Sequence, residues 1–506
     1  MPIPRSPLRT ELLVSASQAR AADAHTIEDV GVPGIVLMEH AGRAVADAAK
    51  RLVPDLCRAV VFAGPGNNGG DGWVAARHLW GAGVSCPVIT LRAPDTLPGD
   101  AGLAAQMFLT AAELHGWRAA PFDGPFLLVD LADDVDELLR RLGPGLLIDA
   151  LFGTGLGRPV EGIGASVIAA LARAAAPVLA VDLPSGLPTD GQAPSGAVVK
   201  AAATLSFGRR KVAHSAEPGL FLCGATEVVD VGILDAPGQG AAVALRLLDA
   251  QGLVPPVDVR AHKGRFGHVG VVEGEPERAG AAHLAARAAL RTGCGLCTIV
   301  VERQPGRPPA PELMVRTDAR PAEIAAAFDA VVLGPGLGAR ADRARPVLEA
   351  LAAAGTPAVV DAEALDALAG VPIAALRFIC TPHPGEAARL LGTSSEAVQR
   401  DRLGAAHALV EKLGAVVVLK GACPVVACHG EAPVIIEGGA PALAVAGSGD
   451  VLAGCLGALL ARGLAPRDAA VVGAEAHQRA GARLGSRGAL ASEIADALAA
   501  VLGRPK

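Results

Sequence analysis

The sequence predicts two α/β domains, each built on a parallel sheet with helices on both faces. A chain of 506 residues is too long for one ordinary domain. Short apolar runs alternate with Ala-rich helical stretches in both halves, a pattern typical of parallel sheets. The composition, 51% hydrophobic with 62 Gly and no Tyr, favours cores of Ala, Val and Leu packed between sheet and helices.

Apolar runs that end at Gly or Pro predict the strands of both domains. In the first half, a helical stretch broken at Gly31–Gly34, Ser17–Lys50, precedes five strands: Ala59–Ala63, Val84–Leu91, Leu146–Ala150, Val178–Asp182 and Ala203–Phe207. In the second half, the predicted strands are Val269–Val272, Cys297–Val301, Ala330–Leu333, Ala358–Asp361, Phe378–Cys380 and Ala415–Leu419. The Pro- and Gly-rich stretch Val231–Arg260 predicts domains at 1–235 and 260–506, joined by a linker at 236–259.

Charge and cysteine usage exclude several classes of protein. The net charge is −6 and Lys and Arg are scattered, so no nucleic-acid partner is expected. Charged residues interrupt every apolar stretch before it reaches the roughly 20 residues of a membrane span. Met1–Val14 lacks the apolar core of a secretory signal, and the nine cysteines are scattered, so we expect a reduced, cytoplasmic protein. Cys294 and Cys297 lie in an apolar run, which favours core packing over a zinc site.

A glycine-rich segment, Gly64-Pro-Gly-Asn-Asn-Gly-Gly-Asp71, follows the first predicted strand and predicts a helix from about Trp73. Such a turn lets backbone approach a phosphate at a helix N-terminus. A dehydrogenase-type dinucleotide site is therefore one alternative, and a tight turn without ligand is another. Asn67, Asn68 and Asp71 set this segment apart, because a dinucleotide turn normally keeps small side chains there.

Two further strands end in carboxylates. Asp149 is followed by Leu151–Gly157, and Asp182 is followed by Leu183-Pro-Ser-Gly186. Because the ends of parallel strands meet at one edge of a sheet, Asn68, Asp149 and Ser185 can share a cation with oxygen ligands. Arg158 is the only cationic side chain in these motifs, so the carboxylates themselves predict a bound counter-charge. The alternative for each aspartate alone is a helix N-cap.

These three motifs, with Leu37-Met-Glu-His-Ala-Gly-Arg43, resemble the NAD(P)H-hydrate epimerase family over about Ser17–Gly232. The resemblance implies a Rossmann-like three-layer domain with Asp182 as acid/base and a potassium ion on Asn68, Asp149 and Ser185. It implies that the substrate is held by Asp182 and two loops: Asn67, Asn68, Gly69, Gly70 and Asp71, and Gly153, Thr154, Gly155, Leu156, Gly157 and Arg158.

The second half carries a different motif, Gly447-Ser-Gly-Asp450, directly before the apolar helix Val451–Leu460. Backbone amides at such a helix start can hold an anion, and the carboxylate can deprotonate an alcohol that attacks a phosphoryl group. No P-loop motif occurs. A capped core helix is the alternative. Gly334–Gly338, Thr381–Glu386 and Lys420-Gly421 also follow predicted strands, and His383 between two prolines is interpreted as a ligand contact.

These motifs, with Lys263-Gly264, Gly267-His-Val-Gly270 and Asp361-Ala-Glu-Ala-Leu365, resemble the NAD(P)H-hydrate dehydratase branch of the ribokinase-like superfamily, from about His262 to Leu502. The resemblance implies Mg²⁺ and ADP or ATP as co-substrate. The implied nucleotide-binding residues are Lys420, Gly421, Ala422, Cys423, Pro424, Ser448 and Gly449, and the implied hydrate-binding residues are Ala281, Gly336, His383 and Asp450. The chain departs from the branch in the acidic loop Glu273–Arg278 and in Ala440–Ala446, where the usual Asn and Thr are absent.

The chemistry of the two halves is complementary. The hydrated nicotinamide ring bears a hydroxyl beside its nitrogen, and phosphorylating that hydroxyl makes its elimination easy. Epimerisation, by opening the ring or by breaking the C–O bond, converts the other epimer to the substrate. A sugar or vitamin kinase fused to a non-catalytic module is disfavoured by Asp182 and the cation set. A dehydrogenase with a regulatory kinase-like domain lacks an acidic residue after Val84–Leu91 to grip a ribose. We expect small-molecule substrates and a homo-oligomer.

Overall fold

The computed structural model describes residues 8–118, 124–129, 134–237, 242–254, 260–302, 310–369, 371 and 377–503. Packing divides the chain into two compact units. The amino-terminal unit is Leu12–Val243, and the carboxyl-terminal unit combines Met1–Glu11 with Ala244–Lys506. The first strand, β1 (Arg9–Leu13), lies at the edge of the carboxyl-terminal unit's sheet.

The amino-terminal unit has a parallel sheet in the order β4-β3-β2-β5-β6-β7-β8. Its strands are β2 (Ala59–Ala63), β3 (Val88–Thr90), β4 (Phe126–Leu128), β5 (Leu146–Ala150), β6 (Val178–Val181), β7 (Ala203–Phe207) and β8 (Ala225–Val229). Its helices are α1 (Ala16–Ala24), α2 (Gly34–Leu52), α3 (Asn67–Gly81), α4 (Gly99–His115), α5 (Val135–Leu142), α6 (Gly162–Arg173) and α7 (Gly219–Cys223).

Helices cover both faces of this sheet, because successive strand residues point to opposite faces. On β2, Val61 belongs to a core with α2, α3 and α4, whereas Val60 and Phe62 belong to a core with α5 and α6. Small residues bring the helices close: a Cβ on Gly42 of α2 would lie 2.4 Å from Val74 Cβ of α3. The unit is therefore a three-layer α-β-α domain, as the sequence predicts.

The carboxyl-terminal unit has a larger sheet, in the order β1-β9-β18-β17-β16-β15-β14-β13-β10-β11-β12. Its further strands are β9 (Ala244–Asp249), β10 (His268–Val272), β11 (Leu296–Val301), β12 (Met314–Thr317), β13 (Ala330–Leu333), β14 (Ala358–Val360), β15 (Phe378–Cys380), β16 (Val416–Leu419), β17 (Val425–Ala427) and β18 (Val434–Ile435). Its helices are α8 (Ala279–Thr292), α9 (Pro321–Ala327), α10 (Ala344–Ala354), α11 (Pro384–Leu391), α12 (Ser395–Arg400), α13 (Arg402–Leu413), α14 (Ser448–Ala461), α15 (Pro466–Arg483) and α16 (Ala491–Leu502).

Strands β10 to β16 pair in parallel, and β17 is antiparallel to both of its neighbours. One face of the sheet packs on α8, α14, α15 and α16, and the other packs on α9 to α13. Helices α8 and α14 approach closely, because a Cβ on Gly454 would lie 1.9 Å from Ala285 O. Cys294 and Cys297 are buried in the first of these cores, which confirms the packing role predicted for them.

The predicted α/β class and strands are confirmed, with three differences of detail. The helix predicted from about Trp73 begins six residues earlier, at Asn67, so the asparagines form its first turn. The strand predicted at Val84–Leu91 is continuous only at Val88–Thr90, with an isolated bridge between Ser85 and Arg58, because Pro87, between the bridge and the strand, has no N–H for a ladder. Part of the predicted linker, Ala244–Asp249, is strand β9, which pairs with β18; residues 238–241 and 255–259 of the linker lie outside the described residues.

The first residues of the chain also differ from the predicted division, which places 1–235 in one domain. Arg9–Glu11 belongs to the carboxyl-terminal unit, where Arg246 of β9 contacts Glu11 at 2.9 Å and Glu437 at 2.6 Å. Sheet pairing with a strand some 235 positions later in the chain leaves no local signal in the sequence. No helix within the described residues is long and apolar enough to cross a membrane.

Candidate active sites

A cavity of about 580 Å³ opens in the amino-terminal unit, where β2, β5, β6 and β7 end side by side. The strands are parallel, so the loops that follow them emerge on one edge of the sheet. The cavity is lined by residues of the two predicted loops, by Asp182, and by residues of α1, α2 and the segment after β7, including Lys211.

Asp182 follows β6 directly and has a positive φ of 65°, which is uncommon for a residue with a side chain. Lys211 Nζ lies 2.5 Å from Asp182 Oδ1, and Thr154 Oγ1 donates to Asp182 Oδ2 at 2.6 Å. Burial by itself raises the pKa of Asp182, but the charge and hydrogen bond of Lys211 outweigh burial and lower the pKa to about 2. Asp182 is therefore an ionised carboxylate held in a fixed orientation.

Lys211 and His214 hold the side chain and the backbone of Asp182 in place. The Lys211 ammonium also donates to Ser206 Oγ at 3.1 Å and to Phe207 O at 3.0 Å, and this lysine is only 4% exposed. His214 Nε2 donates to Asp182 O at 2.8 Å, while its Nδ1 accepts from Lys211 N at 3.0 Å. Burial and the charge of Lys211 lower the pKa of His214 to about 3, so the ring is neutral. The histidine thus holds the backbone at the positive φ.

Asp149 and Ser185 form a second buried pair at the same sheet edge. Asp149 is fully buried at the end of β5; Ser185 donates to it from Oγ at 2.6 Å and from its backbone N at 2.8 Å. Burial raises the pKa of Asp149 to about 6, although the Ser185 bonds oppose the rise. Ser185 Oγ also accepts from Phe152 N at 2.9 Å, so the pair fixes the start of the Gly153–Arg158 loop.

Asn68 and Gly153 bring the loops after β2 and β5 together. A Cβ on Gly153 would lie 2.8 Å from Asn68 Oδ1 and 3.2 Å from Asp182 Oδ2, so only glycine fits between them. Asn68 Nδ2 is buried and has no hydrogen-bond partner. Gly69 and Gly70 have packing roles: a Cβ on Gly69 would lie 2.0 Å from Gly64 O, and one on Gly70 would lie 2.5 Å from Met38 Cε.

In the carboxyl-terminal unit, α14 starts at the predicted anion-binding motif. Its N-cap, Gly447, has a φ of 87°, which glycine adopts without strain. His477 Nε2 lies 3.0 Å from Ser448 O and 3.1 Å from Ser448 Oγ. Burial lowers the pKa of His477 to about 4, so this contact is made by a neutral ring. The first turn of α14 is therefore anchored to α15.

Asp450 lies in that first turn, beside a chain of charged groups. Lys420 Nζ lies 2.7 Å from Asp361 Oδ1 and 3.6 Å from Glu386 Oε2. Burial and the charge of Asp361 raise the pKa of Asp450 to about 6, while Lys420 opposes the rise. Burial by itself lowers the pKa of Lys420, but Asp361 and Glu386 outweigh burial and raise the pKa above its ordinary value. Asp450 can thus exchange a proton near neutral pH.

The loop that begins at Lys420 is held by a buried arginine. Arg402 Nη2 donates to Lys420 O at 3.1 Å and to Cys423 O at 3.3 Å. A Cβ on Gly421 would lie 2.3 Å from the same nitrogen, so the guanidinium requires glycine there. The side chain of Lys420 is occupied by carboxylates. The backbone of this loop is therefore the part that can meet a ligand.

His383 is the N-cap of α11. Its Nδ1 accepts from Gly385 N at 3.0 Å and from Glu386 N at 3.3 Å, and Glu386 Oε2 accepts in turn from His383 N at 2.8 Å. The side chain is 52% exposed, with Nε2 3.4 Å from Glu386 Oε1. The capping role by itself explains a histidine between two prolines; it leaves the outer edge of the ring open to a ligand.

The loop Glu273–Arg278 packs on the Gly334–Gly338 turn. Glu275 N donates to Gly336 O at 3.0 Å, and a Cβ on Gly336 would lie 3.3 Å from Ala281 Cβ. The two predicted hydrate contacts, Gly336 and Ala281, are therefore neighbours. Arg278 contacts Glu275 at 3.2 Å, which offsets part of the negative charge of this acidic loop.

Comparison with known proteins decides the family. The protein-family model for NAD(P)H-hydrate dehydratase matches residues 269–501, and the model for the YjeF-related protein N-terminus matches residues 34–213. The bifunctional NAD(P)H-hydrate repair enzyme of Moorella thermoacetica is 35% identical, over 97% of this chain and 96% of its own. That of Escherichia coli is 35% identical, over 95% of this chain and 92% of its own. The chain belongs to the family of bifunctional NAD(P)H-hydrate repair enzymes.

The amino-terminal unit of this family member is the epimerase domain, and the carboxyl-terminal unit is the dehydratase domain. Among solved structures, the ADP/ATP-dependent NAD(P)H-hydrate dehydratase of Bacillus subtilis is 28% identical over 50% of this chain and 94% of its own, with a TM-score of 0.43.

The epimerase domain brings most of the predicted substrate residues to one cavity. Its lining includes Asp182 together with Asn67, Asn68, Asp71, Gly153, Thr154, Gly155, Leu156, Gly157 and Arg158. Asp149 and Ser185 contact each other beside the Gly153–Arg158 loop and are not among the described lining residues. The dehydratase domain brings Asp450 and Gly449 to Lys420: a Cβ on Gly449 would lie 3.5 Å from Lys420 Nζ.

Sequence reasoning misses Lys211, the cation that neutralises Asp182. Arg158 is the only cationic side chain within the motifs themselves, but the fold brings Lys211 to Asp182 from the segment that follows β7, the next parallel strand along the sheet. The rule that places Asp149 and Asp182 at one edge of the sheet also applies to the segment after Ala203–Phe207. The sequence therefore contained a signal that could have placed Lys211 beside them. Arg402, His477 and Asp361 are also missed as positioning residues; only Asp361, at a predicted strand end, carries a comparable signal.

Proposed function

We propose that this chain restores hydrated NADH and NADPH in two steps. The epimerase domain interconverts the R and S hydrates, and the dehydratase domain uses ADP or ATP to dehydrate the S form. The observation that carries this proposal is that each domain has a carboxylate near a cation at its site: Asp182 contacts Lys211, and Asp450 lies within the electrostatic influence of Lys420, whose ammonium contacts Asp361 and Glu386. The two carboxylates differ in proton affinity, as two different reactions require.

In the epimerase domain, we assign the acid/base role to Asp182. Its ionised carboxylate, held by Thr154 and Lys211, faces the cavity that the nicotinamide ring would enter. The loop Gly153–Arg158 and the start of α3 would hold the rest of the dinucleotide, since glycines and helix amides suit a pyrophosphate. The cavity of about 580 Å³ is of the size that small-molecule sites usually have.

A potassium ion fits the donor set of Asn68, Asp149 and Ser185. These side chains offer amide, carboxylate and hydroxyl oxygens, which are hard ligands suited to such a cation. One feature supports a missing positive charge there: burial raises the pKa of Asp149, which no cationic side chain among the described residues contacts. The ion would supply charge neutralisation and orientation of the loops, while Asp182 handles the proton.

In the dehydratase domain, we assign the base to Asp450. The hydrate hydroxyl would give its proton to this carboxylate and attack the terminal phosphoryl group of the nucleotide, whose charge the amides of Ser448 and Gly449 would stabilise. Ala281, Gly336 and His383 would contact the hydrate, and the backbone of Lys420–Pro424 would contact the nucleotide. Within the described residues no cluster of His, Cys, Asp or Glu is arranged for a metal, so Mg²⁺ would arrive on the phosphates.

We place the reaction in the cytoplasm, in a homo-oligomer. None of the nine cysteines, all of which fall in the described part of the chain, forms a disulfide, as expected of a reducing compartment.

The deciding assay mixes the chain with both hydrate epimers, Mg²⁺ and either ADP or ATP, and follows the absorbance of reduced nicotinamide. Full recovery of both epimers is expected, with one nucleotide preferred. Recovery of only the S epimer would contradict the epimerase assignment, and no recovery with either nucleotide would contradict the dehydratase assignment. Omitting Mg²⁺ should stop dehydration and leave epimerisation unchanged.

A further inference from the structure

Asp71 is a carboxyl group of the epimerase cavity whose environment differs sharply from that of Asp182. It lies in α3, is half-buried and lines the cavity. Asp182 is bound by Lys211 and Thr154, whereas the Asp71 carboxyl forms no hydrogen bond or ion pair with any described residue. A group so placed is available to a ligand.

Burial and the surrounding charges favour the protonated form of Asp71. Burial and the negative charges of Asp182 and Asp23 raise the pKa of Asp71 well above its ordinary value, and the charge of Lys211 opposes the rise only in part. Helix α2 contributes no charged group to the cavity lining. The remaining charged side chains of the lining are Arg20, Asp100, Arg158, Arg209 and Asp235. One cavity therefore contains two carboxyl groups whose pKa values are shifted in opposite directions, the combination that acid/base pairs use.

Asp71 and Asp182 reach this cavity from elements that follow different strands of the sheet. Asp71 follows β2 and Asp182 follows β6, and β5 lies between the two strands. Neighbouring strands are about 4.8 Å apart, so β2 and β6 end on the order of 10 Å apart, with the end of β5 between them. A ring bound over the end of β5 would therefore lie between α3, which contains Asp71, and the turn that contains Asp182.

We propose that Asp71 is a second catalytic residue of the epimerisation assigned to this cavity, an inference that rests on that proposed function. Asp71 protonates the departing hydroxyl, and Asp182 deprotonates the water that returns on the other face. The epimers then interconvert by breaking and re-forming the C–O bond, with the ring intact.

The proton and electron balance of this route is complete with water alone. First, the Asp71 proton moves to the hydroxyl oxygen, water leaves with the C–O electron pair, and the lone pair of the ring nitrogen forms a C=N bond. A water molecule then adds to the same carbon from the opposite face, gives one proton to Asp182, and returns the C=N electrons to nitrogen. The reverse epimerisation, or exchange with solvent, returns the proton to Asp71. Ionised Asp182 stabilises the cation formed in between.

The test uses the full chain and a single purified hydrate epimer in ¹⁸O-labelled water, without nucleotide so that dehydration does not run. In the wild-type chain, each inverted product should contain one solvent oxygen. Asp71→Asn, which keeps the shape but cannot act as an acid, should lower kcat for epimerisation by at least about 100-fold with little change in KM. Asp71→Glu should recover part of this loss. Asp47→Asn, an exposed carboxylate paired with Lys50 on α2, is the matched control and should behave as wild type.

Two results would overturn the inference: a wild-type product that inverts but retains its original oxygen, or an Asp71→Asn chain that epimerises at the wild-type rate. Dehydration of the S epimer with Mg²⁺ and nucleotide, and an unchanged unfolding midpoint, establish that the variant is folded. If Asp71→Asn fails to fold, the epimerisation rate of Asp71→Glu and the oxygen label of the wild-type product test the inference instead. A wild-type rate in Asp71→Glu together with retention of the original oxygen would overturn it. A wild-type chain that does not exceed the spontaneous epimerisation rate would instead refute the proposed function.

Discussion

Individual carboxylates of this chain differ in what surrounds them, and the surroundings determine their proton affinity. Asp182 and Asp149 are both buried at strand ends, yet Lys211 lowers the pKa of Asp182 to about 2, whereas burial raises that of Asp149 to about 6. The positions of both aspartates could be predicted from their place at strand ends. Their protonation could not, because it depends on which neighbours the fold supplies.

Asp450→Asn should lower dehydration at least about 100-fold, the usual scale for loss of a general base, and leave epimerisation unchanged. The reason is the position of Asp450 in the first turn of α14, beside Lys420 and the backbone amides. Rates of both reactions in the full chain are the measurement. Asp468→Asn is the matched control, an acidic residue in the first turn of the neighbouring helix α15. Wild-type dehydration in Asp450→Asn would refute the assignment.

The dehydration rate should depend on pH through Asp450. A general base works when it is unprotonated, and the pKa of Asp450 is raised to about 6 by burial and by Asp361. The rate should therefore be constant above neutral pH and fall tenfold for each pH step below about 6. A profile of kcat/KM against pH measures this. The residual activity of Asp450→Asn should lack this acid limb, and an identical limb in that variant would assign it to another group.

Substitutions of Asp149 and of Asp182 should have different effects on substrate binding and on the epimerisation rate. Asp149→Ala removes a predicted potassium ligand and the anchor of Ser185, so substrate affinity and epimerisation should both weaken. Asp182→Ala removes the acid/base group, so turnover should be abolished while binding persists. Titration of each variant with a non-reacting dinucleotide, and epimerase rates with and without potassium, are the measurements. Equal rates in rigorously potassium-free and potassium-containing buffer would contradict the cation site.

Among the elements, α3 and β1 depart furthest from expectation. Helix α3 begins at Asn67 because glycines at 69 and 70 let its first turn pack against Gly64 O and Met38. A run of Asn and Gly has low helix propensity, so its sequence alone predicts a turn. Strand β1 is stabilised by a sheet formed by the distant end of the chain. Neither the packing of the first turn of α3 nor the pairing of β1 can be predicted from the residues next to it in the sequence.

Deleting residues 1–11 should destabilise the carboxyl-terminal unit. The deletion exposes the edge of β9 and removes Glu11 from the ion pair with Arg246, and these losses together should lower the free energy of unfolding by about 1–3 kcal/mol. Glu11→Ala should cost about 1 kcal/mol or less, since the pair is partly exposed. Urea unfolding measures both. Glu28→Ala, at an exposed site, is the control; a deletion with unchanged dehydratase stability would contradict this role of β1.

For the molecule as a whole, two compact units predict two separable activities. Limited proteolysis should cut within Val231–Arg260 and give two folded fragments, each with its own reaction. Met1–Glu11 stays on the amino-terminal fragment, so the carboxyl-terminal fragment should lose thermal stability once the two are separated. Fragment mass, both rates and the unfolding midpoint before and after separation are the measurements. If neither fragment folds, the division into two units is wrong.

The sequence by itself determined the two α/β domains, most strands of the parallel sheets, the edge at which the loops meet, and the family motifs. These follow from local hydrophobic runs, from glycines, and from the rule that parallel strands end together. Only the tertiary structure decided that Lys211 neutralises Asp182, that Arg402 holds the Lys420–Pro424 loop, and that β1 joins the other unit's sheet. Each of these is a contact between positions far apart in the chain, and its energy depends on burial and distance, which exist only once the chain has folded.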